Sequence, residues 1–453
     1  MKNKKIFLHS SITILLIAIF ISILCIGNDI MVMNPETSSP AGMQPNTLIS
    51  GVSGTQINTA ATTPAVEPSP HTSENPSLTI IQQSATSQPS PTKPSAEELS
   101  ITINFAGDFL IHDRLYKLAE QKDGTYDFSN LFKDVGYLMK GADFTVANLE
   151  TTFAGSAAGY SGYPRFNCPD ALASAMKNIM GIDLVITANN HCMDKGIVGL
   201  ERTINVINEN GMQQTGTYKS AEIAEKPLVI DINGINVTFL NYTYSLNGIK
   251  LPKGYEYAAN MIDKNKIQKD AQKARDAGAE FIICLPHWGT EYKTTESDSQ
   301  RKLAKWIFEN TEVDMIVGGH PHVVQPADYM KVTTKNNKEK TGFVLYSLGN
   351  FMSDHSTVAD YVDTGIILNA TLVKSSVDGK IRLAGSSYIP VVIDRTKGHA
   401  SDKCVRGLND AIISYESGRS ETVIKSEYTK FLEYRKYYKE LFANIMEEMV
   451  LLY

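Results

Sequence analysis

Cysteine, basic charge and long apolar runs are all scarce in this chain. Five cysteines in 453 residues, with no CxxC pair, exclude a disulfide-dense scaffold and a zinc finger. Lys and Arg number 43 against 49 Asp and Glu, a net charge of −6. That is not the basic balance of a nucleic-acid binder, so no nucleic-acid partner is expected. A charged fraction of 20 % and an apolar fraction of 42 % exclude a wholly disordered chain, a collagen-like fibre and a many-span membrane protein. The length fits two or three domains, or one large α/β domain with appendages.

The one long apolar run lies at the start. After MKNKK, residues Ile6 to Asn28 carry no charge, enough to cross a hydrocarbon core of about 30 Å. Lys2, Lys4 and Lys5 precede it and should hold the N-terminus in the cytoplasm. The expectation is a single-pass anchor in the cell membrane over residues 1–33, with an extracytoplasmic remainder. No A-x-A cleavage site follows the run, and Leu24 before Cys25 is not the small residue of a lipobox. Residues 34–97 are Ser/Thr/Pro-rich, with Glu36, Glu67, Glu74 and Lys93 as the charges before Pro94. Such a segment cannot bury enough apolar surface to order itself, so it reads as a disordered linker of roughly 45 Å.

From Ile101 short β-rich runs alternate with amphipathic stretches, the signature of an α/β layered fold. Strands are expected at 101–107, 143–149, 183–189, 236–242, 281–286, 314–319, 343–349 and 365–373. Helices are expected near 129–140, 170–180, 197–210, 263–277 and 298–310. The domain is placed at 98–394, with a helical extension at 395–453 that packs on it or meets a membrane partner.

Nearly every strand runs into a polar residue. Asp108 follows INFAG, Asn148 and Glu150 follow FTVA, and Asn190 and His191 follow VITA. His287 follows IICLP, His320 and His322 follow MIVGG, and Asn350 follows LYSLG. In an α/β sheet the strand C-termini open onto one crevice where ligands bind. Imidazole and carboxylate groups converging there suit a divalent transition ion (Mn, Zn or Fe). Asp108, Glu150, Asn190, His287, His320 and His322 are the candidate ligands. In an extended segment, His320 and His322 at i and i+2 would face one side. His191 is placed as an acid or base, and Glu291 as a general base or a partner orienting His287. Asn148, Trp288, Tyr292 and Asn350 are candidate substrate contacts, the two aromatics as a wall for a polymer backbone. Each has a plainer alternative: a hydrogen-bonded structural histidine, a turn asparagine, a core aromatic. Lys331, Lys335, Lys338 and Lys340 mark a hairpin that either meets an anionic polymer or is solvated.

Six stretches then occur in order: FAGDFL, VANLE, ANNHCMDKG, HWGTEY, GHPHVVQP and SLGNF. Over about 101–355 the chain resembles the CapA (PgsA) family of poly-γ-glutamate capsule biosynthesis proteins. That family is similar to the calcineurin-like metallophosphoesterases. The resemblance implies a layered metallophosphatase-type fold with a strand-end site holding one or two ions. Asn190 and His191 would match the Asn-His dyad, and His320 and His322 the final histidine pair. Two positions depart from the phosphoesterase pattern. The His of D-x-H is missing after Asp108, and Asn148-Leu149-Glu150 replaces the bridging G-D. A two-metal site, a one-metal site and a metal-poor binding crevice therefore all remain open. The implied partners are the anionic polymer poly-γ-glutamate or another cell-envelope substrate, membrane-bound polymer synthase subunits, and the membrane itself. The rival function is a metal-dependent extracytoplasmic hydrolase of phosphoesters or γ-glutamyl amides.

Overall fold

The computed structural model describes residues 98–355, 358–394, 404–419, 423–443 and 449–451. The expected anchor (1–33) and linker (34–97) lie outside the described residues. Among the described residues no helix is long and apolar enough to cross a membrane.

Two sheets are built from strands that alternate their apolar side chains between two cores. In the first sheet β1 (Leu99–Phe109), β2 (Phe144–Leu149), β3 (Leu184–Ile186) and β4 (Gln213–Thr215) run parallel. The second sheet has the order β5 (Val229–Ile232), β6 (Ile235–Thr243), β7 (Phe281–His287), β8 (Met315–Val317), then β10 (Glu339–Leu348) and β9 (Val324–Thr333) at its edge. Here β6, β7, β8 and β10 are parallel, with β5 and β9 antiparallel at the two edges. The first sheet also holds β11 (Asn350–Met352), parallel to the end of β1. On the other side of β1 it continues through β12 (Thr364–Lys374), β13 (Ile381–Asp394) and β14 (Cys404–Gly407), all antiparallel. A short β15 (Met449–Leu451) lies parallel to β13.

The period-2 pattern decides the packing. On β1, Ile101, Ile103 and Phe105 join one core with Phe281, Ile283 and Leu285 of β7 and with Phe343 and Leu345 of β10. That core fills the space between the sheets. The alternate residues Ile282 and Cys284 face outwards, onto the helices Lys264–Asp276 and Asp298–Asn310. The first sheet is covered in the same way by Ala171–Asn178 and Gly196–Glu209. The result is four layers, helix on sheet on sheet on helix. Each buried Phe or Ile contributes about 1.5–3 kcal/mol. A capping box fixes the start of Asp298–Asn310: the Ser297 side chain accepts from Gln300 N, and the Gln300 side chain accepts from Ser297 N.

Several expectations need correction. The helix expected at 129–140 is two short ones, Ser129–Phe132 and Gly136–Met139. The strand expected at 183–189 stops at Ile186, because Thr187 to Asn190 turn away to form the site loop. The described part of the segment after 394 holds the helices Leu408–Glu416 and Lys425–Leu441, packed on the domain, but it is not wholly helical. Among its described residues β14 joins the main sheet, and Leu408, Ile412, Phe431, Tyr434 and Tyr438 enter the inter-sheet core. Lys331 and Lys340 lie on the hairpin strands and Lys335 and Lys338 near its turn, but Lys340 turns inwards, where its ammonium donates to Thr311 O and Val313 O. Cys168, Cys192, Cys284 and Cys404 are free and buried.

Candidate metal centre

The parallel strands of both sheets end at one edge, and register aligns their last residues. Asp108 pairs with Asn148 on one side and Asn350 on the other. The chain crosses from the second sheet to the first between β10 and β11, at Gly349, whose φ of 70° suits glycine. The crossing brushes β1 so closely that a Cβ on Gly107 would lie 1.9 Å from Gly349 O. Asp108 is thereby carried against His322.

Glu150 sits at the centre. Its Oε1 is 3.3 Å from His287 Nε2 and 3.9 Å from His322 Nε2. Two triads share it: Asp108, Glu150 and His287, and Glu150, His320 and His322. Within each triad the possible ligand atoms all lie within 4.8 Å of one another. His287 Nε2 donates to Asn190 Oδ1 at 2.6 Å. Asp108 Oδ1 accepts from Asn148 Nδ2 at 2.7 Å, and Asp108 Oδ2 lies 3.2 Å from His322 Nδ1. The His322 Nδ1 proton is aimed instead at Asn350 Oδ1, 3.0 Å away. His320 and His322 are not extended. Their φ values of 98° and 60° put both in the left-handed region, at a cost of about 1–3 kcal/mol each. This bend, rather than strand alternation, brings both rings to Glu150.

Burial and charge set the protonation states. Burial pushes the Asp108 carboxyl up, but His322, His287 and Asn148 outweigh it and hold the group below the usual carboxylate range. Burial pushes His322 down, yet Glu150 and Asp108 prevail and carry it up to about 9. His320 is pushed well below its usual value by burial, then by His287 and His322.

A cleft of about 680 Å³ opens beside this cluster, lined by Asn190, His191, Asn247, Glu291, Tyr292 and His355 among others. His191 Nδ1 is 2.8 Å from Asp194 Oδ2, which also accepts from Phe166 N at 2.7 Å. The fixed carboxylate holds the proton on Nδ1 and leaves Nε2 for the cleft. Such a pair can exchange a proton with a bound molecule.

Residues 102–355 match the family described as bacterial capsule synthesis protein PGA_cap. The chain belongs to that family. It is 25 % identical over 265 residues to the capsule biosynthesis protein CapA of Bacillus anthracis, covering 57 % of this chain and 61 % of that one. It is 26 % identical over 269 residues to the PGA biosynthesis protein CapA of Bacillus subtilis (strain 168), covering 56 % and 63 %. The chain thus spans about three-fifths of the length of these relatives. Among solved structures, the NAD nucleotidase NadN of Haemophilus influenzae aligns with 79 % of this chain and 64 % of that one, at 13 % identity and a TM-score of 0.42. The calcineurin-like phosphoesterase YfkN of Bacillus subtilis aligns over 72 % and 98 %, at 14 % identity and a TM-score of 0.38. Neither likeness bears on the chemistry.

The PGA_cap cluster fits a divalent ion on its own chemistry. Both Glu150 carboxylate oxygens, Asp108 Oδ2 and His320 Nδ1 are buried without a hydrogen-bond partner among the described residues. Each such atom costs about 1–3 kcal/mol, more when charged. All four belong to the two triads and form a mixed N/O donor set suited to Mn, Zn or Fe. Asp108, Glu150, His287, His320 and His322 would hold the ion. Asn190 lies within reach through its Oδ1, now turned to His287.

The other expected site residues divide. His191, Glu291 and Tyr292 line the PGA_cap cleft. Glu291 is exposed and does not orient His287; Asn190 does that. Trp288 does not face the cleft. It is buried in the outer core, donates Nε1–H to Tyr346 O at 3.0 Å, and stacks on Tyr346. Asn148 and Asn350 are buried and already engaged, Asn148 with Asp108 and Asn189, Asn350 with His322 and Val362 O. They position the cluster rather than meet substrate. Cys192 packs in a small apolar cluster, and burial pushes its thiol up to about 12, so it is no thiolate ligand. Sequence reasoning passed over Asn189, Asp194 and Asn247, and left the place of His355, a loop histidine just after SLGNF, undecided. Asp194 was within reach, since it completes N-N-H-x-x-D. His355 was not, because only folding brings its ring to 4.8 Å from His322 and 4.6 Å from His112. His112 meets that ring edge-on.

Proposed function

We propose that this PGA_cap chain is a membrane-anchored, extracytoplasmic component of poly-γ-glutamate or related capsule-polymer synthesis and export. Its strand-end cluster holds one or two divalent transition ions, and the cleft beside it binds or processes the polymer. The observation that carries the reading is the family match, which runs from β1 to His355 and so spans every candidate ligand. The uncharged run from Ile6 to Asn28 behind three lysines supports the anchor and the single-pass topology. Membrane-bound synthase subunits are the natural partners of a domain held at that surface.

The ion would supply Lewis-acid polarisation in a water-poor site. This chain's residues would do the rest. Asn148 and Asn350 fix Asp108 and His322, and Tyr292 walls the cleft. His191, held by Asp194, has a proton to give or take there. That dyad favours the second reading, a metal-dependent extracytoplasmic hydrolase of phosphoesters or γ-glutamyl amides.

Elemental analysis of the full-length protein tests the metal centre. One or two equivalents of Mn, Zn or Fe, lost in the His320→Ala/His322→Ala variant, is the expected result. Deletion of the gene should reduce surface polymer in a capsule-forming host; unchanged polymer would remove the first reading and leave the hydrolase.

A further inference from the structure

The PGA_cap match ends at residue 355, yet hydrogen bonds from far beyond it lead back to the metal centre. The helix Lys425–Leu441 reaches the segment 361–365 and the start of β9 along two arms. In the first, Lys430 Nζ donates to Asp363 Oδ2 at 2.6 Å. The adjacent Val362 O accepts from Asn350 Nδ2 at 3.0 Å, and Asn350 Oδ1 accepts from His322 Nδ1 at 3.0 Å. In the second, Tyr437 OH donates to Val324 O at 2.7 Å, two residues after His322. The Tyr437 ring also stacks on Tyr361, with centroids 4.1 Å apart. Tyr361 is left-handed, at φ 63°.

The physical need is plain. His322 has a left-handed backbone and lies outside the strands, so no sheet ladder fixes it. A strained conformation persists only where its surroundings over-determine it. Asn350 grips the ring, and Val324 anchors the chain just beyond. Both grips trace to the same helix.

We propose that the helix Lys425–Leu441 is a positioning element of the metal centre. Lys430, through the 361–365 segment and Asn350, and Tyr437, through Val324, set the orientation of His322. The inference rests on the reading that the cluster takes a divalent ion. Ordinary packing is the rival explanation, since Phe431, Tyr434 and Tyr438 of this helix are core residues.

Cobalt(II) titration of the full-length protein separates the two. The readouts are the dissociation constant and the visible absorption bands of the bound ion. Tyr437→Phe keeps the ring and removes only the hydroxyl. It and Lys430→Met should each weaken cobalt binding about 10-fold, the low end for residues that orient ligands. Each should shift the bands, and Lys430→Arg should restore both. Phe431→Leu, a core control, should lower thermal stability and leave affinity and bands as in the wild type. Wild-type affinity and bands in Tyr437→Phe and Lys430→Met, with both altered in Asn350→Ala, would overturn the inference and leave the metal reading intact. A wild type that takes up no cobalt would sink the metal reading first. The ring ¹⁵N shifts of His322 in the metal-free protein then decide: moved in both variants supports the inference, unmoved in both overturns it.

Discussion

Two clusters of buried charge stand in this domain and are balanced in opposite ways. At the β13–β14 turn-back, Arg406 Nε lies 3.3 Å from Asp394 Oδ2, and its NH2 lies 3.1 Å from Asp134 Oδ2. Arg406 cannot lose its proton in any ordinary buffer, so the cluster carries its own cation permanently. At the strand-end site, Asp108 and Glu150 are equally buried, and the ion-pair partners beside them are histidines. Their compensating charge is removable, whether proton or metal. A fixed cation marks a structural cluster; a removable one marks a site that exchanges something with solution.

Four changes break or sharpen that contrast. Arg406→Met should have the largest effect, because it removes the fixed cation that lies between Asp394 and Asp134. We expect a loss of about 3–5 kcal/mol in denaturant unfolding, the same with and without metal. Glu150→Gln should do the reverse. It removes a carboxylate whose compensating charge is itself removable, so the metal-free protein should lose far less stability than Arg406→Met does, while metal affinity falls by about 100-fold or more. Titration calorimetry beside chemical unfolding checks both halves.

The third change is pH. His322 has a folded pKa raised from 6.5 to about 9. Its contribution is therefore complete below about 6.5 and is lost as pH rises through about 9. The metal-free protein should lose stability across that window, at a slope of up to about 1.4 kcal/mol per pH unit. The slope should vanish in His322→Ala, and Arg406 should add nothing to it. Melting curves in chelator from pH 6 to 9.5 would show it. Asp194→Asn should be the mildest, costing about 1–2 kcal/mol of stability and leaving metal content unchanged. If the hydrolase reading holds, its mark is a displaced pH–rate profile, since His191 loses the carboxylate that fixes its tautomer.

The site edge was largely legible before folding. Parallel buried strands announce themselves as apolar runs, and their polar terminal residues had to meet at one edge. That alone assembles Asp108, Glu150, His287, His320 and His322. What each side chain faces was not legible. Trp288 follows His287 directly, and sequence cannot say that its indole turns back to Tyr346 O. Asn148 and Asn350 look like ligand-binding amides until the register makes them neighbours of Asp108. The left-handed turn at His320 and His322 is hidden by Pro321, which reads as extended. β13 and β14 escaped because their meaning depends on pairing with β12, a contact between distant segments.

The origin of the ligands has a mechanical consequence. Asp108 and Glu150 come from the first sheet, while His287, His320 and His322 come from the second. An ion held by this set is a rivet across the seam at the open end of the sandwich. Loading it adds a further joint between two halves already held by apolar packing and by contacts such as His287 to Asn190 and Asn241 to Ala188 N. Stripping it should let that rim breathe, with faster amide exchange at the ends of β1 and β8 and little change in the middle of either sheet. The cleft end of the molecule would then stiffen or slacken with the metal supply.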